Sequence, residues 1–150
     1  TTNLSNKPSL KVEFNPVTRS IHDTVIRFDV SQLRGVVPRA AILSLFSEMD
    51  CSSAGAFATT ANTARDESTV IWTNAPNYAP GDPFTGGVMI GTFGAVSANR
   101  WYGFDVVPAI RIAMQAKKTE VTFRISSGNT GTCQYSSKES GREPKMMVSF

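Results

Sequence analysis

The sequence has few of the residues on which metal sites depend. It contains one histidine, His22, and two cysteines, Cys51 and Cys133, in 150 residues. A structural zinc ion takes four such ligands at close spacing, so this composition argues against a zinc site. Apolar runs are short as well, and none approaches the ~20 residues that a membrane-spanning helix needs.

The excess of positive over negative charge is also small. Fifteen basic residues stand against 12 acidic ones, and the net charge is only +3. This small excess has no clustered Lys and Arg and no recognition-helix pattern, which argues against nucleic acid as a partner. It is compatible with an acidic polymer as a ligand and equally with a solvated surface that has no electrostatic partner.

Arrangements of residues typical of catalysis are missing. The single His22 lies in the turn-like segment "RSIHDT" and is expected to be solvated. A glycosidase needs two facing carboxylates, and no pair of acidic residues is singled out by spacing. The sequence has no nucleophile elbow, P-loop or dinucleotide fingerprint. We therefore expect no enzyme activity and no cofactor; the segments "SEMD" and "NAPNYAPGD" could contribute oxygen ligands to a structural calcium ion.

The apolar residues recur with the period of two that indicates β-strands. In "LKVEF" residues Leu10, Val12 and Phe14 alternate with charged ones, and "AILSLF" offers Ala41, Leu43 and Leu45 to a core. Further alternating segments are "VIRFDV", "GAFATTAN", "STVIWT", "GVMIGTF", "RWYGFDV", "EVTFRIS", "CQYSS" and "KMMVSF".

The only helical pattern is "VPAIRIAMQAKK", with Pro108 in its first turn and Lys117 and Lys118 at its end, where each residue type is favoured. Glycine- and proline-rich breakers separate the strands. The sequence predicts an all-β fold, a jelly-roll-type β-sandwich of about ten short strands with one short helix. No composition change marks a boundary, so we expect residues 1–150 to form a single β-sandwich module.

Four segments together resemble the DNRLRE domain family. These are "VIRFDVSQLRG" followed by "PRAAILSLF", then "RDESTVIWTNAP", "WYGFDVVPAI" and "SSKESGREPKMMVSF". The resemblance covers residues 6–150 in the correct order. It implies a β-sandwich of secreted or surface polysaccharide-active proteins and adhesins, one branch of which is classed among carbohydrate-binding modules with alginate as a ligand.

The sequence departs from that family in two places. The corner Asp105-Val106-Val107-Pro108 lacks the usual threonine, so its capping hydrogen bond must be replaced or lost. Only "TTNLSNKPS" precedes the first predicted strand, where the family has an additional strand. A sequence truncated before this strand is one explanation. The alternative is a strand that is truly missing, which would leave an open sheet edge that another chain could fill.

Candidate ligand-binding residues come from the strands and the last loop. Four basic residues are expected to point outward from alternating strands, and if those strands share a sheet they form a basic stripe that can bind carboxylates. Two more basic residues in the last loop could extend it. Exposed aromatic rings would stack on sugars, whereas Trp72 is expected in the core. The expected carbohydrate-binding residues are Lys11, Arg27, Arg124, Lys138, Arg142, Lys145, Tyr78 and Trp101.

The two cysteines lie in polar, Gly/Ser-rich segments, which predicts loops. A Cys51–Cys133 disulfide is the favoured state and indicates an exported protein; two free thiols are the alternative. We therefore expect a secreted or surface module that binds an acidic polysaccharide without catalysis. The alternative is a structural or adhesion domain that associates with flanking domains or with copies of itself.

Overall fold

The computed structural model describes residues 6–52, 55–59, 88–127 and 131–150. Strands dominate this part of the chain, which confirms the predicted all-β sandwich. The strands are β1 (Ser9–Asn15), β2 (Ser20–His22), β3 (Thr24–Asp29), β4 (Ala40–Ser47), β5 (Gly55–Thr59), β6 (Val88–Phe93), β7 (Arg100–Asp105), β8 (Glu120–Ser126), β9 (Gly131–Ser136) and β10 (Lys145–Ser149); the helix α1 is Val107–Gln115.

The strands form two antiparallel sheets. Sheet A has the order β10-β4-β9-β1-β2, with β7 also paired to β4, and sheet B has the order β3-β8-β5-β6. Strands β7 and β10 both pair with Ile42–Ser44 of β4, so they lie along its opposite edges. Strand β9 meets β4 at Ser47, on the same side as β10.

Alternating apolar residues of both sheets form the core. Ala41, Leu43 and Leu45 of β4 are fully buried, as the pattern predicted. They pack in one cluster with Phe123 and Ile125 of β8 in the other sheet. The even-numbered residues of β4 therefore face away from the core, because successive side chains of a strand point to opposite faces.

Helix α1 follows β7 at the corner that lacks the expected threonine. The carboxylate of Asp105 accepts a 2.9 Å hydrogen bond from the backbone N–H of Val107, and this bond replaces the missing one. Pro108 occupies the first turn, as predicted. At the other end, the N–H of Lys118 bonds to the carbonyl of Ala113 at 2.8 Å. The helix therefore begins as its sequence predicts, but it ends at Gln115, so neither Lys117 nor Lys118 lies in its last turn.

A disulfide joins Cys51 to Cys133, with their Cα atoms 5.6 Å apart. This confirms the predicted pairing. The prediction that both cysteines lie in loops is wrong for Cys133, which lies inside β9 and is 1% exposed. Within the described residues, no helix is long and apolar enough to span a bilayer.

Candidate functional site

Two aromatic rings lie side by side on the outer face of sheet A. Phe46 of β4 pairs directly with Trp101 of β7, and their rings meet edge to face with centroids 5.4 Å apart. Phe46 is only 7% exposed, whereas Trp101 is 44% exposed. Trp101 therefore presents a rigid apolar ring to solvent while Phe46 supports it from the side.

A cation lies over each of these rings. The guanidinium carbon of Arg142 lies 4.4 Å from the centre of the Phe46 ring, and the Nζ of Lys145 lies 5.3 Å from that of Trp101. Both distances are within the range of cation–π attraction. Among the residues that the structure describes, neither cation has a carboxylate partner. We call these four residues, Phe46, Trp101, Arg142 and Lys145, the Trp101 face.

Small residues lie beside the rings on the same face of the sheet. Ser44 of β4 lies between Gly103 of β7 and Lys145 of β10 in the register of the sheet. A side chain on Gly103 would bring its Cβ to 3.0 Å from a methyl group of Ile42. Between Lys145 and Gly103, the outer face therefore carries only the small side chain of Ser44.

The loop between β9 and β10 holds Arg142 in place. The Ser137 hydroxyl donates to the carbonyl of Lys7 at 2.7 Å, and the Ser137 N–H donates to the carbonyl of Pro8 at 2.8 Å. A 3₁₀ turn, Lys138–Ser140, follows, and Gly141 ends it with φ of 74°, a left-handed conformation that glycine adopts without strain. The chain therefore reaches Arg142 from a fixed starting point.

A polar cluster covers the β1–β2 end of the same face. The Glu13 carboxylate accepts hydrogen bonds from the hydroxyls of Ser20 at 2.6 Å and Thr132 at 2.7 Å. Lys11 Nζ lies 3.1 Å and His22 Nδ1 lies 2.9 Å from the same carboxylate. These bonds, that of Ser20 first, lower the pKa of Glu13 from 4.5 to about 2. Glu13 thus balances the charge of Lys11, and the cluster is distinct from the Trp101 face.

Arg124 lies in sheet B and does not point into solvent. It is 1% exposed, and both its Nε and its terminal nitrogen donate to one oxygen of Asp23. Burial raises the pKa of Asp23 above its ordinary 3.8, and the charge of Arg124 opposes that rise. The expectation of an outward Arg124 is wrong, because the face of β8 opposite the core is itself buried at Thr122, Arg124 and Ser126.

The predicted basic stripe is divided between the two sheets. Lys11 and Lys145 lie in sheet A, whereas Arg27 and Arg124 lie in sheet B, so the condition that their strands share a sheet is not met. Arg27 is exposed and lies 3.6 Å from Glu120. Lys138 is exposed in the 3₁₀ turn, 3.9 Å from Glu139.

Of the predicted binding residues, the structure brings together Trp101, Arg142 and Lys145. Tyr78, like Trp72, lies outside the described residues. Phe46 was missed by the sequence reasoning, although a signal was present. It occurs in the solvent-facing phase of "AILSLF", alongside Ile42 and Ser44, where an aromatic ring is unexpected.

Acidic residues considered as calcium ligands have other partners. Glu48 accepts hydrogen bonds from the hydroxyls of Ser9 and Ser136. Asp50 accepts one from the N–H of Ala98 at 2.8 Å. Among the described residues no group of three or more acidic, histidine or cysteine side chains is arranged to hold a metal ion. The segment "NAPNYAPGD" lies outside them.

Comparison with known proteins gives one family. A family model described as carbohydrate-binding module family 96 matches residues 1–150. No curated protein matches the chain. The match confirms that the chain is a carbohydrate-binding module, as the resemblance in sequence implied. The assignment to the DNRLRE family stays a prediction.

Proposed function

This chain belongs to carbohydrate-binding module family 96, and on that premise we propose that it binds an acidic polysaccharide at the Trp101 face. The observation that carries the proposal is a half-exposed indole ring that shares one sheet face with two cations. The ring supplies an apolar surface for the face of a sugar. The cations supply charge for its carboxylate.

Arg142 and Lys145 have different parts in this proposal. A guanidinium can form two parallel hydrogen bonds to a carboxylate, and its contact with Phe46 restricts its orientation before the ligand arrives. Lys145 is a compact charge whose ammonium lies over the Trp101 ring. A uronate ring that stacks on Trp101 in place of this ammonium would bring its carboxylate within reach of both cations.

We further propose that residues 1–150 act as one non-catalytic module outside the cell. The family match extends over the whole chain, and families of this class consist of binding modules. A disulfide between Cys51 and Cys133 supports an oxidising compartment. Two carboxylates of this part of the structure, Glu48 and Asp105, are bonded to serine and backbone groups.

Affinity electrophoresis tests this proposal. The protein is run through gels that contain alginate, pectate or a neutral glucan, and we expect retardation only by the uronate polymers, reversed by salt. Trp101→Ala should weaken binding about tenfold, as expected for an aromatic anchor, and Arg142→Ala with Lys145→Ala should remove the preference for uronates.

Arg27→Ala is the matched control, because Arg27 is an exposed arginine in the other sheet. It should be retarded as strongly as the wild type, and all variants should keep their melting temperature. Equal retardation of the wild type and Trp101→Ala, or a loss of binding in Arg27→Ala, would contradict the site. Retardation only by the neutral glucan would agree with a carbohydrate-binding module but would contradict the proposal that its ligand is acidic.

A further inference from the structure

A second cationic surface lies at the far end of α1, away from the Trp101 face. It consists of five exposed basic residues on the β3–β4 loop, α1 and the residues that follow it. We call it the basic end patch; it comprises Arg34, Arg39, Arg111, Lys117 and Lys118. Within the described residues none of the five pairs with a carboxylate, although the net charge of the whole chain is only +3.

Contacts between the loop and the helix hold the patch together. The Arg111 guanidinium donates to the carbonyl of Pro38 at 3.0 Å. Arg39 donates its backbone N–H to the carbonyl of Ser149 at 2.9 Å. Two carboxylates of the flanking strands have other partners, because Asp29 accepts from the N–H of Ser31 and Glu120 pairs with Arg27. Neither forms an ion pair with a residue of the patch.

An apolar cleft and exposed aliphatic side chains accompany these charges. The cleft has a volume of about 450 Å³, with Val30 and Met114 on its walls and Arg34, Lys117 and Lys118 at its rim. In the same loop and helix as these residues, Val37 is 74% and Ile112 is 48% exposed. Apolar surface surrounded by cations is typical of a protein-docking site, whose centre is apolar and whose rim is polar.

The patch is separate from the proposed sugar site. Along β7, Trp101 and Asp105 lie about 13 Å apart at the usual rise of a strand, and α1 follows Asp105 in the chain. The exposed carboxylate of Asp105 lies between the two cationic regions. A polyanion that follows the surface from one region to the other would meet this negative charge.

From these observations we infer that the basic end patch binds an acidic peptide segment of a partner protein, with one aliphatic side chain of that segment in the cleft. Carboxylates of the segment pair with Arg34, Lys117 and Lys118 at the rim. A polysaccharide is the weaker fit, because Val37 and Ile112, the apolar side chains exposed on the same loop and helix, are aliphatic and offer no ring for stacking. A second copy of this chain is unfavourable on charge, since each copy is positive.

Fluorescence anisotropy with labelled peptides tests the inference. The probes are Glu-Glu-Leu-Glu-Glu, the same peptide with Leu replaced by Ser, and Lys-Lys-Leu-Lys-Lys. We expect the first to bind best, more weakly as salt rises, and the last not to bind. Lys117→Glu with Lys118→Glu should weaken the first probe about tenfold, because two attractions become repulsions.

The matched control is Lys7→Glu with Arg19→Glu, which makes the same change in net charge at exposed residues outside the patch. It should leave peptide binding unchanged. Equal binding of the Leu and Ser probes, or equal losses in both double variants, would overturn the inference. Tighter binding of a sulfated polysaccharide or of phosphatidylglycerol vesicles at the patch would overturn it in favour of those ligands.

The two sites fail independently. Trp101→Ala should bind the acidic peptide normally, and the Lys117/Lys118 variant should keep its retardation in uronate gels. If the wild type binds the acidic peptide but not the uronate gels, the proposed function is contradicted and the peptide site stands. If it binds the uronate gels but not the peptide, the peptide site is contradicted and the proposed function stands. Amide chemical shifts of residues 34–39 and 114–119 on addition of the peptide would locate the contact in the wild type.

Discussion

Arg27 and Arg124 lie on neighbouring strands of sheet B and differ in their surroundings. Arg124 is 1% exposed and is bonded to Asp23, whose side chain is also buried. The side chain of Arg27 is 41% exposed, and one of its terminal nitrogens lies 3.6 Å from a carboxylate oxygen of Glu120. A buried pair loses several kcal/mol when one partner is removed, whereas an exposed pair contributes little. Arg124 is therefore a structural residue.

We predict that Arg124→Ala lowers the free energy of unfolding by about 3 to 5 kcal/mol, because it leaves the Asp23 carboxylate buried without its partner. Arg27→Ala should cost less than about 1 kcal/mol. Urea denaturation measures both. The double variant Asp23→Asn with Arg124→Met should recover part of the loss. A cost for Arg124→Ala as small as that for Arg27→Ala would contradict this assignment.

Glu13 makes the stability of the module sensitive to acid. Its hydrogen bonds to Ser20 and Thr132 are made by the ionised carboxylate, which is why its pKa falls to about 2. A group with a lowered pKa in the folded state stabilises above its ordinary pKa. The contribution of Glu13 is therefore complete above pH 4.5 and is lost as the pH falls towards 2.

The corresponding prediction concerns Glu13→Gln, which should melt at a lower temperature than the wild type at pH 7. The difference between the two proteins should shrink between pH 4.5 and pH 2, as the wild-type carboxyl becomes protonated. Thermal unfolding followed by circular dichroism at several pH values measures it. Glu143→Gln, at an exposed position, is the control. A constant difference across this range would show that Glu13 acts through packing alone.

At the scale of elements, the loop between β9 and β10 joins stability to the proposed binding site. It starts at Ser137, which is bonded to the residues before β1, and it ends at β10, which pairs with β4. Gly141 is the only described residue of this loop with a positive φ, 74°. A change there should therefore move Arg142 as well as strain the backbone.

We expect Gly141→Ala to lower the free energy of unfolding by about 1 kcal/mol, because a Cβ is unfavourable in the left-handed region. It should also weaken binding to uronate gels by displacing Arg142 from the Phe46 ring. Gly94→Ala is the matched control, since its φ is not positive and a Cβ there meets nothing within 4 Å. Normal stability and normal binding of Gly141→Ala would contradict the role of the loop.

The strands also show what a local pattern can and cannot predict. Alternation correctly placed Leu43 and Leu45 in the core, and it correctly put Arg124 on the face of β8 opposite Phe123. Alternation separates the two faces of a strand but does not reveal whether the second face is covered. The covering of β8 depends on contacts between distant parts of the chain, so Arg124 was wrongly expected in solvent.

The sequence also did not reveal which strands belong to the same sheet. Lys11 and Arg27 lie on strands close in sequence, yet one strand is in sheet A and the other in sheet B. Trp101 and Phe46 are far apart in sequence and become neighbours through the pairing of β4 with β7. Residue types and strand phases could thus be read locally, whereas the composition of the site required the long-range pairing of strands.

At the scale of the whole molecule, one covalent bond closes a long loop. The disulfide joins residues separated by 82 positions, and it connects β9 with the segment after β4. A cross-link that closes a loop of this length restricts the unfolded chain strongly. The stability of the module should therefore depend on its redox state.

We predict that Cys51→Ala with Cys133→Ala lowers the free energy of unfolding by about 4 kcal/mol, from the loss of this restriction. Urea denaturation of the wild type with and without a reductant should show a similar loss. The reductant should leave the double variant unchanged, which is the control. A loss below about 1 kcal/mol would mean that the unfolded chain is already compact without the bond.

The half-exposed ring of Trp101 has a practical consequence for study of the molecule. The protein has two tryptophans, so Trp72→Phe would leave Trp101 as the sole indole emitter. Its fluorescence depends on contact with water and with the ammonium group of Lys145, 5.3 Å from the ring. A sugar that stacks on the indole would exclude water and shift the emission to shorter wavelength. The proposed site thus contains its own optical reporter, and titrations would need no label.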